Sequence, residues 1–126
     1  MKKLLTCALL LVVVLAAGAV LAEEKAEATA EMKPLAEMEG IEIYRNVCKA
    51  CHGADGPADE YTPMSLIMEQ WDEFFQDTFV ETHQDVACPK DDTRKVTDVI
   101  QGDVLEKVHE FCVDHAADSE QPMTCG

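Results

Sequence analysis

The chain has 126 residues and carries 25 acidic against ten basic side chains, a formal net charge of −15. So acidic a surface repels nucleic acid and anionic membranes and favours protein partners with basic patches, though acidity for solubility alone is an equal reading. The length suits one small domain with a thin core.

Residues 1–22 read as an export signal. Lys2 and Lys3 precede an apolar run from Leu4 to Leu21, and Val20-Leu21-Ala22 places small residues at a cleavage position before Glu23. An uncleaved membrane anchor is the alternative, because the run is nearly long enough to span. Cleavage removes Cys7 and two lysines, leaving eight basic against 25 acidic residues. The expected compartment is the periplasm, with no stable membrane association after cleavage. Residues 23–38, rich in Ala, Glu and Lys and interrupted by Pro34, read as a solvated tether. Residues 39–126 then form the folded domain.

Helical spacing accounts for most of that domain, and no alternating run is long enough for a sheet. The first predicted helix covers Gly40 to Ala50, with Ile41, Tyr44 and Val47/Cys48 on one face. It leads into Cys48-Lys49-Ala50-Cys51-His52, the attachment signature of c-type haem. Two thiols at this spacing add across the porphyrin vinyl groups, and the next residue brings an imidazole to the iron as proximal ligand. A zinc ribbon would need a second CxxC or a paired histidine motif. A redox CxxC would need a βαβ context. Neither is present, and one CxxCH implies one haem. Gly53 and Gly56 bracket the turn that follows.

Thr62-Pro63 then starts the second predicted helix, which ends at Asp77, with Thr62 as cap and Pro63 in the first helical position. Its stripe of Ile67, Trp71, Phe74 and Phe75 reads as core against the haem edge. A weaker helix spans Asp92 to Gln101 with Val96, Val99 and Ile100 inward. The last begins at Asp103, where Asp103 and Glu106 make an Asp-led capping box. Leu105, Val108, Phe111/Cys112 and His115 share its inner face, and a polar tail runs from Ala116. Cys88, Cys112 and Cys125 remain after haem attachment, an odd number. Cys112–Cys125 is the preferred disulfide, tying the tail to the last helix, with Cys88 left free or available for a dimer. Pairing of Cys88 with either of the others stays open.

These residues together resemble class I cytochromes c, over about Gly40 to Ala117. Gly40, Tyr44 and Cys48 match that family's N-terminal helix, where the glycine allows close crossing by the C-terminal helix. Phe111 stands where the family places the aromatic partner of that crossing. The resemblance implies an all-α fold of about four helices around one covalent haem, with Tyr44, Pro63 and Trp71 packed on it. It also implies that the Pro63 carbonyl orients the proximal His52 imidazole. The family's distal methionine is missing, because Asp77 to Gly102 contains no Met. His83 is the expected distal ligand, with Met64, Met68 and Met123 as alternatives, and an open distal site is a third possibility. His109 and His115 read as packing or solvated residues. The implied function is non-enzymatic one-electron transfer between redox partner proteins. Alternatives are a haem subunit of a larger oxidoreductase and a gas- or redox-sensing module with an open iron position.

Overall fold

The computed structural model describes residues 33–124, so the expected signal segment, Cys7 and Cys125 lie outside the described residues. Glycine at position 40 opens the first helix because another helix passes directly over it. A Cβ there would fall on the Lys107 carbonyl and within 2.6 Å of the Phe111 Cβ. This helix, α1, spans residues 40–52 in three continuous parts: Gly40–Ile43, a π-turn at Tyr44–Cys48, and Lys49–His52. Its entry is capped by Glu42, whose carboxylate accepts the Glu39 N–H at 2.8 Å. That bond, with Lys33 beside it, holds the Glu42 carboxyl below its ordinary range.

Pro63–Ser65 form a single 3-10 turn with Pro63 in first position and the Ser65 hydroxyl accepting the Thr62 N–H at 2.9 Å. Helix α2 starts later than expected and runs further, over residues 68–83, again with a π-turn inside it at Phe74–Thr78. The sequence reading ended this helix at Asp77, where its stripe of Ile67, Trp71, Phe74 and Phe75 stops. The π-turn absorbs the mismatch and carries the helix through to His83.

A short antiparallel hairpin follows, where no sheet was expected. Strand β1 (Ala87–Cys88) pairs with β2 (Asp91–Lys95), in a register of Ala87 with Lys95 and Cys88 with Asp91 and with an irregularity between them. Almost every residue of β2 faces solvent, so no alternation marks it in the sequence. Helix α3 (Val96–Val99) occupies part of the span expected for a longer helix, and Val96, Val99 and Ile100 do turn inward. Helix α4 (Asp103–Asp114) is capped by Gly102 at φ +53°, a backbone state that favours glycine, so Asp103 is the first helical residue rather than the cap.

The chain is mostly helical, and its core lies where α1 and α2 pack on α4. Ile43 and Val108 are fully buried, and the Tyr44 and Phe111 rings meet at 5.6 Å. Each such side chain contributes about 1.5–3 kcal/mol through burial. The folded body begins before residue 39. Met38 is buried, Leu35 packs partly against the core, and the Lys107 ammonium donates to the carbonyls of Ala36 and Met38. The tail is likewise tied down through its backbone: Ala117 N–H donates to Leu66 O at 3.1 Å, and Met123 N–H to His115 O at 3.2 Å.

Gly40→Ala tests the crossing. The added methyl should cost about 1–3 kcal/mol, lowering Tm by about 4–8 °C per kcal/mol in a thermal melt.

Candidate haem-binding site

A cavity of about 490 Å³ opens among α1, α2, α3 and the hairpin. Its size lies within the range of small-molecule and cofactor pockets. The wall is mainly apolar, with Val47, Trp71, Phe74, Phe75, Phe79 and Ile100 prominent. Polar atoms converge on it from few directions. Cys48, Cys51 and His52 come from the end of α1, and His83 comes from the end of α2.

His52 is held by the loop that follows it. Helix ends leave carbonyls unpaired, and here the chain folds back to satisfy them. Ala58 N–H donates to Cys51 O at 3.1 Å and Tyr61 N–H to His52 O at 3.0 Å. The return brings the Asp59 carbonyl to 2.8 Å from His52 Nδ1. A carbonyl only accepts, so Nδ1 carries the proton and Nε2 keeps its lone pair. The carbonyl that orients His52 is therefore that of Asp59 and not that of Pro63. Pro63 O instead accepts the buried Trp71 indole N–H at 2.8 Å. The reason is local: the single 3-10 turn at Pro63–Ser65 directs that carbonyl toward α2. Pro63 is buried without lining the cavity, while Tyr44 and Trp71 do line it.

His83 shows the same tautomer by a different route. Its Nδ1 lies 2.9 Å from the Phe79 carbonyl one turn back and 2.9 Å from the Thr82 hydroxyl. Phe79 stacks on the imidazole at 4.6 Å between ring centres. Burial lowers the His83 pKa, and the neighbouring His52 pushes the same way against the Phe79 bond. The ring is thus neutral at neutral pH, the form in which imidazole binds a metal.

The two imidazoles meet edge-on across the cavity, their planes 67° apart and their ring centres 6.0 Å apart. Two metal–nitrogen bonds of about 2.0–2.1 Å, plus about 1.1 Å from each nitrogen to its ring centre, give about 6.3 Å. The spacing therefore fits one metal atom between the rings. Among the described residues no three or more His, Cys, Asp or Glu side chains gather to hold a metal ion alone. A metal between these imidazoles would need its remaining ligands from elsewhere, as a porphyrin provides. The residues present fit that group: two thiols on one wall, two imidazoles and an apolar box.

The other candidate ligands lie elsewhere. Met64 and Met68 are largely exposed and do not line the cavity. Met123 lines a separate shallow surface pocket with Arg45, Phe111 and His115. His109 Nε2 pairs with Asp72 Oδ1 at 2.7 Å, and His115 Nδ1 donates to the Gln121 carbonyl at 2.7 Å.

Cys112 also departs from expectation. It is a free thiol, 3% exposed, on the cavity wall. The inward face of α4 buries it in the core, and its expected disulfide partner, Cys125, lies outside the described residues. Cys88 is likewise buried and free, which turns it away from the expected dimer contact. Burial pushes the Cys112 thiol well up, with a further push from Cys48, whose own thiol burial raises to about 12. Sequence reasoning missed Cys112 as a wall residue because its place near the tail suggested a staple.

No protein-family model matches the chain, and no curated protein or solved structure shows significant similarity to it.

Thiol labelling checks the cysteine placement. Iodoacetamide under native conditions should leave Cys88 and Cys112 unmodified, and denaturation should expose both, as read by peptide mass spectrometry. Native labelling of Cys112 would contradict its burial.

Proposed function

We propose that this chain is an exported monohaem c-type cytochrome, similar to class I members, that carries single electrons between redox proteins. The observation that carries the reading is the 6.0 Å spacing of the His52 and His83 rings across a cavity walled by Cys48 and Cys51. Cys48 and Cys51 would hold the porphyrin by thioether bonds, His52 would be the proximal ligand and His83 the distal one. Bound haem supplies one-electron exchange at iron.

The protein's own residues account for the rest of the reading. Asp59 O and Phe79 O fix both imidazoles as Nδ1–H tautomers, so both Nε2 atoms are preset for ligation. With both rings engaged, no coordination position stays open for a substrate, which favours a carrier over an enzyme or a gas sensor. Two imidazoles also hold a lower potential than an imidazole–thioether pair. The apolar wall excludes water and limits reorganisation around the centre.

Docking has a candidate face. Tyr61, whose ring meets His52 edge-on at 5.7 Å, is exposed, as are Met64, Ile67 and Met68 after it. Asp59, Glu60, Glu69 and Glu73 stand in and beside the same stretch. An apolar strip bordered by carboxylates suits brief encounters with a basic-rimmed partner. A permanent haem subunit would use a larger apolar face.

Three experiments test this. The mature protein, made in a host competent in haem maturation, should keep its colour through acidified organic extraction and show a low-spin spectrum unaltered by carbon monoxide. His83→Ala should turn the iron high-spin and open to carbon monoxide; an unaltered low-spin spectrum would exclude His83 as the ligand. Electron transfer to a basic partner protein should slow several-fold between 20 and 200 mM salt, as the Debye length falls from about 20 Å to about 7 Å. Salt-independent rates would remove the charge-steered docking.

A further inference from the structure

The two histidines end matching stripes. Gly40, Tyr44, Cys48 and His52 recur every fourth residue on α1, and Trp71, Phe75, Phe79 and His83 do the same on α2. A step of four residues overshoots an α-helical turn by about 40°. From the first to the last member of either stripe the overshoot reaches about 120°, so a plain α-helix would aim each histidine far from the face on which its stripe began. Yet Trp71, Phe75, Phe79 and His83 all line one cavity, and α1 meets α4 at Gly40 while presenting Cys48 and His52 to that cavity. Each stripe contains one π-turn, Tyr44–Cys48 in α1 and Phe74–Thr78 in α2. A π-turn takes one residue more than an α-turn. Removing that residue from the count cuts the overshoot to about 20°.

We infer that the two π-turns are positioning devices that rotate His52 and His83 back onto one cavity and so bring the two imidazoles within reach of one another. The inference rests on the haem-ligand reading above and adds how the helices set the ligand register. It gives Gln76 and Asp77, which are exposed and touch no part of the site, a role that side-chain contacts do not reveal.

The consequence is an asymmetry in α2 that an ordinary helix lacks. Deleting Asp77 lets the π-turn close into an α-turn while the residues on both sides keep their faces, so His83 stays at the cavity. Inserting one alanine between Val80 and Glu81 has no such relief and turns His83 by about 100°. In a plain helix either change would turn His83 by the same angle in opposite senses.

The test compares haem-loaded full-length proteins by optical and electron paramagnetic resonance spectra. Deletion of Asp77, and separately of Gln76, should retain the low-spin two-imidazole signature. The alanine insertion should lose it and admit carbon monoxide. Loss of the second imidazole in the deletions as well as the insertion would overturn the inference, as would its retention in the insertion. Failure of both deletions to yield folded, coloured protein would also count against it, since a closed α-turn should fold at least as well. The His83→Ala protein separates the two levels. If its spectrum is unchanged, the ligand assignment fails and this inference with it. If its spectrum changes while deletions and insertion behave alike, the inference alone fails.

Discussion

The contact between α1 and α4 at Gly40 governs where the rest of the site can form. Without a side chain at this position, the α1 backbone rests against Lys107 and Phe111, and the Tyr44–Phe111 ring pair closes the junction. One and two turns further along α1, Cys48 and then Cys51 and His52 come to the edge of the core instead of its middle. A larger residue at position 40 would lever the helices apart and shift those three groups together relative to α2, which packs on the same α4. The trio on α1 and the lone His83 on α2 are therefore referenced to one another through α4. No direct bond between α1 and α2 is needed to hold the ring spacing.

The placement of two thiols and an imidazole at the end of α1, and the crossing of α1 by α4, were legible from residues 40–52 and 103–115, because their spacings are short and each has a local chemical reason. His83 was legible as a residue type but not as a helical one. The reading stopped the stripe at Phe75 and did not extend it to Phe79 and His83, which the structure places on the same helix. The hairpin went unread for a different reason: Cys88 is the only buried residue in either strand, so burial leaves no pattern. The orienting carbonyl of Asp59 could not be found from sequence, since any backbone carbonyl in the loop from Gly53 to Pro63 has the same chemistry. Only the return path of that loop selects one. Cys112 was legible as an inward-facing position of the last helix but not as part of the cavity wall, because the spacing of one helix does not show where a cavity opens against it.

Charge and apolarity are divided between surface and cavity. Carboxylates outnumber basic groups in the chain, whereas the cavity wall is mainly apolar, with His83 held neutral by burial and Cys48 held as the thiol. A low-dielectric interior inside an acidic shell suits a redox centre in two ways. On the proposed reading, the interior would keep solvent from reorganising around the bound group, and the shell would steer oppositely charged partners without a large permanent interface.

The cavity also bears on how the chain is stable at all. Left without contacts, apolar space costs about 24 cal/mol per Å³. For about 490 Å³ that amounts to about 12 kcal/mol, and the open mouth, which admits water, reduces it. The figure is still comparable to the whole folding stability of an ordinary domain, about 5–15 kcal/mol. Phe74, Phe75, Phe79 and Trp71 cannot collapse into the space, because they already pack in one chain of ring contacts at 5.4–6.1 Å and the Trp71 indole is tied to Pro63. On the proposed reading, a thin-cored chain with such a wall would gain stability from the group that fills it. On the reading offered here, the porphyrin is then as much the central piece of the core as it is the redox group, and binding and folding are one equilibrium.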